Sequence, residues 1–164
     1  LFKFTDEDVK RIKEEVGVPE DKKVILYTPT WRDNQFKKGE GFQYNTELDF
    51  NKLMQQLGDE YVLLFRAHHQ IGFKDVANDV PGVIDVTLVD DVNDLYIISD
   101  LMITDYSSTM FDYGDLKRPM VFYMYDLDEY QGEIRDFYFD INELPGPIVK
   151  TCTSVTIPAI SIAF

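Results

Sequence analysis

A single cysteine, Cys152, leaves this 164-residue chain with no partner for an intrachain disulfide, which fits a reducing compartment. Basic residues are also scarce: 16 Lys and Arg stand against 30 Asp and Glu, for a formal charge of −14. A nucleic-acid surface needs clustered cations to neutralise phosphates, so this balance argues against that class of partner. An anionic small molecule would have to be held by local Arg and His against an unfavourable overall field. No apolar run reaches the roughly 18 residues of a membrane span, and no signal-peptide pattern is read ahead of the fold. Internal repeats and low-complexity tracts are missing, and neither a metal site nor a cofactor is read from the sequence. The chain opens at Leu1 without an initiator Met and is therefore expected to be a piece of a longer protein.

What is present is core material. Hydrophobic residues make up 45% of the chain, with twelve Phe and ten Tyr, enough for one self-standing domain. Thr5 to Val16 reads as an amphipathic helix, with Thr5 and Asp8 spaced as a capping box and Gly17 as its stop. The apolar runs Lys23 to Thr28, Tyr61 to Phe65, Val83 to Thr87, Leu101 to Ile103 and Met120 to Met124 read as five strands. Helical spacing appears between them at 48–57, at 91–98 with Asp91 as N-cap, and at 107–116. Strand and helix in alternation predict an α/β fold: a doubly wound, Rossmann-like parallel sheet with helices on both faces. The domain is assigned to residues 1–150. The tail at 151–164 loses its charge and reads as strand-like.

Ligands of such a sheet sit at the carboxyl ends of its strands. At the first of these, Pro29 cannot extend a ladder, so Thr28-Pro29-Thr30-Trp31-Arg32 opens into a loop that offers Thr30 and Arg32. The polar segment 34–45 is long enough to be a functional loop. After the second strand come Arg66 and both histidines, His68 and His69. An Arg fork suits phosphate oxygens, and an imidazole can donate to the same group. After the fourth, Thr104, Asp105, Ser107 and Ser108 crowd hydroxyls and a carboxylate onto a helix start, where N–H groups and the dipole favour an anion. The plainer alternative is that Asp105 or Ser107 is only the N-cap. The aromatic segment 125–147 is expected to lean over the same edge and to bring Arg135 to the anion, unless Arg135 pairs with a neighbouring carboxylate instead.

Taken together, Thr28-Pro29-Thr30-Trp31-Arg32, Arg66-Ala67-His68, the run Ser99 to Asp112, Arg135 with Tyr138-Phe139-Asp140, and Pro145-Gly146-Pro147 resemble the CDP-glycerol glycerophosphotransferases. These are the teichoic-acid polymerases and primases of Gram-positive bacteria and their relatives in capsule synthesis. The resemblance covers about residues 20 to 150, in order. It implies one half of a GT-B fold, the C-terminal half that holds the nucleotide donor. It implies no cofactor, CDP-glycerol or a related CDP-alditol as donor, a glycerol-phosphate polymer of the teichoic-acid or capsule kind as acceptor, and the N-terminal half of the same protein as partner. It also implies that His68 serves as general acid or charge stabiliser, with Arg66, Ser107, Ser108 and Arg135 on the diphosphate. Turnover would need the missing half, which carries the family's other essential histidine. The implied location is cytoplasmic, peripheral to the inner face of the membrane. The tail from Thr151 departs from the pattern, which should continue into a further helix. Two alternatives stay open, another GT-B transferase using a UDP- or CMP-sugar and a non-catalytic nucleotide-binding module. A response-regulator receiver is disfavoured, because Thr28 and Thr87 stand where it needs acidic residues.

Overall fold

Runs that are apolar at every position have no face to spare for water, and here they are buried on both sides of one sheet. The computed structural model describes residues 3–30, 36–37, 41–42, 47–67, 80–129 and 141–155. Its strands are β1 (Lys23–Thr28), β2 (Tyr61–Phe65), β3 (Val83–Asp85), β4 (Leu101–Thr104), β5 (Met120–Tyr123) and β6 (Ile148–Val149). All pair in parallel, in the spatial order β3-β2-β1-β4-β5-β6. The order reverses direction between β1 and β4, where Thr28 and Thr104 are register partners.

Side-chain alternation along the strands divides the core in two. Ile25, Tyr27, Leu63, Phe65, Leu101 and Ile103 face helix α2 (Phe50–Leu57). Val24, Leu26, Val62, Leu64 and Met102 face α1 (Asp6–Val16), α3 (Val92–Ile98) and α4 (Thr109–Gly114). The sheet is thus doubly wound, as expected. A short helical turn, α5 (Leu127–Glu129), follows β5.

Local signals account for the helix ends. Thr5 and Asp8 form a reciprocal capping box, Asp8 N–H to Thr5 Oγ1 at 3.2 Å and Thr5 N–H to Asp8 Oδ2 at 2.9 Å. Gly17 closes α1 at φ 86°, a conformation that costs glycine little. Asp91 caps α3 by accepting from Asn93 N–H at 2.8 Å.

Several boundaries differ from the sequence reading. The third strand ends at Asp85, and beyond it the Val86 carbonyl and the Thr87 hydroxyl accept from Arg66 and Ala67, the residues that follow β2. The fourth helix starts at Thr109 rather than Ser107 and ends at Gly114. Part of the 34–45 loop is a two-stranded antiparallel ladder, Phe36–Lys37 with Gly41–Phe42. A sixth strand, Ile148–Val149, adds to the edge; it is seated by Gly146, where any Cβ would run into the Met120 carbonyl. The domain boundary assigned at 150 falls one residue after this strand. Beyond it the chain stays packed, with a 3-10 turn at Cys152–Ser154 and Val155 only 1% exposed in the core. The segment 71–79, which reads as a short helix or turn, and residues 130–140 of the aromatic segment lie outside the described residues.

Candidate functional site

A parallel sheet whose order reverses leaves a crevice at the carboxyl ends of the two strands flanking the reversal, because their connections leave in opposite directions. Here those strands are β1 and β4, and polar residues gather there. Thr28 is 5% exposed, Thr104 0% and Asp105 3%, so three of the four buried polar residues among those described lie at this one place.

Asp105 ties the two strand ends together. Its carboxylate accepts from the Thr30 N–H (2.9 and 3.0 Å), the Thr30 hydroxyl (2.5 Å) and the Tyr106 N–H (2.6 Å). The sequence reading had Asp105 among the ligand contacts. Buried, and engaged by these donors, it holds the loop after β1 against the loop after β4. Tyr106 adds a further tie by donating its hydroxyl to Asp126 Oδ1 at 3.0 Å, from beyond β5.

A chain of hydroxyls runs beside this knot. Thr104 Oγ1 donates to the Thr28 carbonyl at 2.9 Å, and Thr28 Oγ1 lies 3.3 Å from Thr104 Oγ1 and 3.2 Å from Thr109 Oγ1. Thr109 in turn donates its hydroxyl to Ser107 Oγ at 2.9 Å, and its N–H to the same oxygen at 3.4 Å. Ser107 Oγ therefore accepts from Thr109 twice. Hydrogen bonds in series polarise one another, which strengthens a terminal donor. Ser107 is half-buried and Ser108 exposed, with no side-chain cap bond from Ser108. Neither hydroxyl is sealed in the core. Ser107 does take up Thr109 N–H, so the N-cap alternative describes part of its role.

Arg66 stands on the other flank of β1. Its N–H donates to the Tyr27 carbonyl at 3.0 Å, and its Nη1 donates to the Val86 and Val89 carbonyls at 3.1 and 2.7 Å. The next residue is fixed as well, Ala67 N–H donating to Thr87 Oγ1 at 3.1 Å. Arg66 and Ser107 therefore share the carboxyl edge, on strands either side of β1, about 10 Å apart if two strand spacings separate them. Of the residues read from the sequence, Thr30, Arg66, Asp105, Ser107 and Ser108 lie at this edge. Arg32, His68 and Arg135 lie outside the described residues.

Sequence reasoning placed Thr104 at this turn but missed Thr28 and Thr109 as its partners. The signal was a Thr closing each of two apolar strands, but it becomes meaningful only once those strands are known to be register partners. It also missed Tyr96, in α3. Tyr96 is 1% exposed, and its hydroxyl has no hydrogen-bond partner among the described residues. Burial pushes that hydroxyl up to about 12, the Asp112 charge raising it further and Arg66 lowering it.

Comparison with known proteins bears on the family and the fold. The sequence model of the CDP-Glycerol:Poly(glycerophosphate) glycerophosphotransferase family matches residues 1–161, running past Lys150 where the sequence reading ended the domain. The teichoic acid glycerol-phosphate transferase of Staphylococcus aureus is 47% identical over 150 residues, covering 91% of this chain and 38% of that protein. The teichoic acid poly(glycerol phosphate) polymerase of Bacillus subtilis is 44% identical over 157 residues, 94% of this chain and 21% of its own length. A solved structure of the wall teichoic acid polymerase TagF superposes with a TM-score of 0.82 at 43% identity, covering 91% of this chain and 37% of TagF. A TagF variant soaked with CDPG superposes equally well, at 0.82. The chain thus spans less than two fifths of the length of these relatives.

Proposed function

This chain belongs to the CDP-glycerol:poly(glycerophosphate) glycerophosphotransferase family, and we propose that its sheet edge holds CDP-glycerol while glycerol phosphate passes to a poly(glycerol phosphate) acceptor. The observation that carries the reading is the shared edge of Arg66 and Ser107, at the strand-order reversal, in a chain so similar to glycerol-phosphate polymerases. Glycerol is favoured over ribitol because the relatives named for glycerol phosphate are 40–47% identical, and those named for ribitol phosphate 33–39%.

Phosphoryl transfer asks mainly for positioning and charge neutralisation. In this reading a terminal hydroxyl of the acceptor attacks the β-phosphorus of CDP-glycerol. Its bond to the oxygen bridging the two phosphates breaks, and CMP leaves with that oxygen. Arg66 neutralises charge on the diphosphate, and Ser107 and Ser108 donate to its oxygens. Thr30, Arg32 and Arg135 are kept in this reading as further donor-binding residues, and His68 protonates the leaving phosphate or stabilises its charge. The acceptor's proton goes to a base in the remainder of the protein. The location that accompanies this reading is the cytoplasmic face of the membrane, with membrane contact made elsewhere in the longer protein.

Calorimetric titration with CDP-glycerol, CDP-ribitol and UDP-glucose tests the assignment. CDP-glycerol is expected to bind most tightly to the wild type, and His68→Ala is expected to weaken it. Equal, weak heats for all three nucleotides would overturn the donor.

A further inference from the structure

The sheet ends at β3, and among the described residues no strand pairs with its outer side. Every residue of β2 is buried, whereas in β3 Val83 and Ile84 are half-buried and Asp85 is exposed. In a parallel pair, alternate residues turn their N–H and C=O to the same neighbour. Leu63 N–H donates to the Gly82 carbonyl and Val86 N–H to the Phe65 carbonyl, so Gly82, Ile84 and Val86 serve β2. Val83 and Asp85 therefore turn theirs outward. Val83 N–H is taken up by the Val80 carbonyl at 3.1 Å, which leaves the Val83 carbonyl and both backbone groups of Asp85 for a further strand.

Beside this edge, on the face that carries α1 and α3, runs a groove of about 300 Å³. Its apolar walls are Ile12 and Val16 of α1, Ile84 of β3, and Val86 and Val89 just beyond. Its charged residues are all acidic: Glu15, Asp85 and Asp94. Arg11 stands beside them, 3.0 Å from Glu15 and 3.7 Å from Asp8, and also feels the Asp94 charge, so one guanidinium is shared among three carboxylates. Among the described residues neither Asp85 nor Asp94 forms an ion pair. The groove is thus apolar and negative at once, in a chain whose formal charge is −14.

We propose that this groove and the free edge of β3 together receive an extended segment of a basic partner protein, one that lays Lys or Arg side chains into the groove. Such side chains have the two parts that the groove matches: an apolar stem for the walls, and a charged head for Glu15 and Asp94. The segment's backbone meets the Val83 carbonyl and the Asp85 N–H and carbonyl, as in strand addition to a sheet edge. A second copy of this chain is repelled by its own charge. A small cation has no use for the strand edge.

Three ligands separate these occupants in calorimetric titrations of the chain: a capped eight-residue peptide of alternating Lys and Thr, its Glu-Thr counterpart, and spermine, which carries the charge without peptide groups. The Lys-Thr peptide is expected to bind, the Glu-Thr peptide not at all, and spermine at least tenfold more weakly than Lys-Thr. Glu15→Lys with Asp94→Lys is expected to raise the Lys-Thr dissociation constant about tenfold, because two attractions become repulsions. Both positions are at the surface, and Glu15→Gln with Asp94→Asn gives a milder form of the same test, expected to raise the constant by less. In amide exchange the Asp85 N–H is expected to slow when the Lys-Thr peptide is added. No Lys-Thr binding at millimolar concentration would overturn the proposal, as would equal binding of spermine, equal binding by both double variants, or an Asp85 amide that the peptide leaves unchanged. Self-association of the chain in sedimentation, lost in the double variants, would give the groove to a second copy and overturn it as well.

Discussion

Tyr96 and Tyr113 touch ring to ring, centroids 5.9 Å apart and planes at 67°, yet their hydroxyls meet opposite circumstances. Tyr113 sends its hydroxyl to the Ser99 carbonyl at 3.0 Å, at the amino end of the sheet. There Arg118 Nη1 donates to the carbonyls of Tyr96, Ile97 and Ser99 at 3.1, 2.7 and 2.6 Å. Ser99 donates back to the Leu95 carbonyl, and Asp100 accepts from Val24 N–H. This end is a closed polar cluster that ties the end of α3 to β1 and β4. The carboxyl end is built from similar residues, but there Ser107 is half-buried and Ser108 exposed. At the amino end buried polar groups tie a helix to the sheet, and at the carboxyl end buried Asp105 ties two loops together beside hydroxyls that reach the surface. Composition does not separate the two ends; the closure of their hydrogen bonds does.

The largest test of this contrast removes Arg118. Arg118→Ala leaves three carbonyls without their cation and loses the stacking on Phe4, so stability is expected to fall by about 2–4 kcal/mol in denaturant titration. CDP-glycerol affinity, measured where the variant is folded, should be unchanged. A large loss of affinity would mean that the two ends are coupled and the contrast is false. Asp105→Ala comes next and should move both quantities, because it releases the loop after β1 from the loop after β4. About 1–3 kcal/mol of stability should go, together with about tenfold in donor affinity. Asp105→Asn, which keeps an acceptor oxygen, should restore part of each. Smaller again, Thr109→Val preserves shape while cutting the link between Thr28 and Ser107. It should weaken donor binding several-fold at a stability cost of about 1 kcal/mol. If binding is untouched, Ser107 does not act as a donor directed by this chain.

How far such contrasts are legible in a sequence depends on how local their causes are. The Thr5–Asp8 capping box and the Gly17 stop are settled within a few residues, and the structure has both where the spacing puts them. Strands with no polar position announced a sheet covered on both faces. The third strand and the fourth helix were read too long, since Val86, Thr87 and Ser107 are taken up by contacts with residues that spacing does not reveal. Strand order is a long-range property, and with it the identity of the crevice between Thr28 and Thr104. The two residues of β6 are too few for any periodicity. Tyr96 was invisible for a different reason: in Leu95-Tyr96-Ile97-Ile98 it looks like ordinary core, and all four are buried. Only the unmet hydrogen bond marks it out.

The smallest effect concerns the same pair of tyrosines in alkali. Burial raises the Tyr96 and Tyr123 hydroxyls from the usual 10 to about 12, and raises Tyr113 still further, Arg118 opposing the shift there. A group whose folded pKa lies above its unfolded value contributes stability that is intact below the unfolded value and lost as pH climbs toward the folded one. Between pH 10 and 12 the unfolded chain releases these protons while the folded chain retains them, so stability should hold to about pH 10 and then decline. Tyr96→Phe takes one of the three protons out of that balance, so its decline should be shallower than wild type, by less than about 1 kcal/mol at pH 10.5. Tyr113→Phe should shed a proton in the same way. It should also be less stable than wild type at neutral pH, because it gives up the bond to Ser99. Urea titrations at pH 7, 9 and 10.5 on both variants therefore read the two ends of the sheet through two rings in contact. Equal stabilities at pH 7 would mean that the hydrogen bond of Tyr113 and the missing one of Tyr96 carry no different energy, and the contrast between the ends would then have no basis.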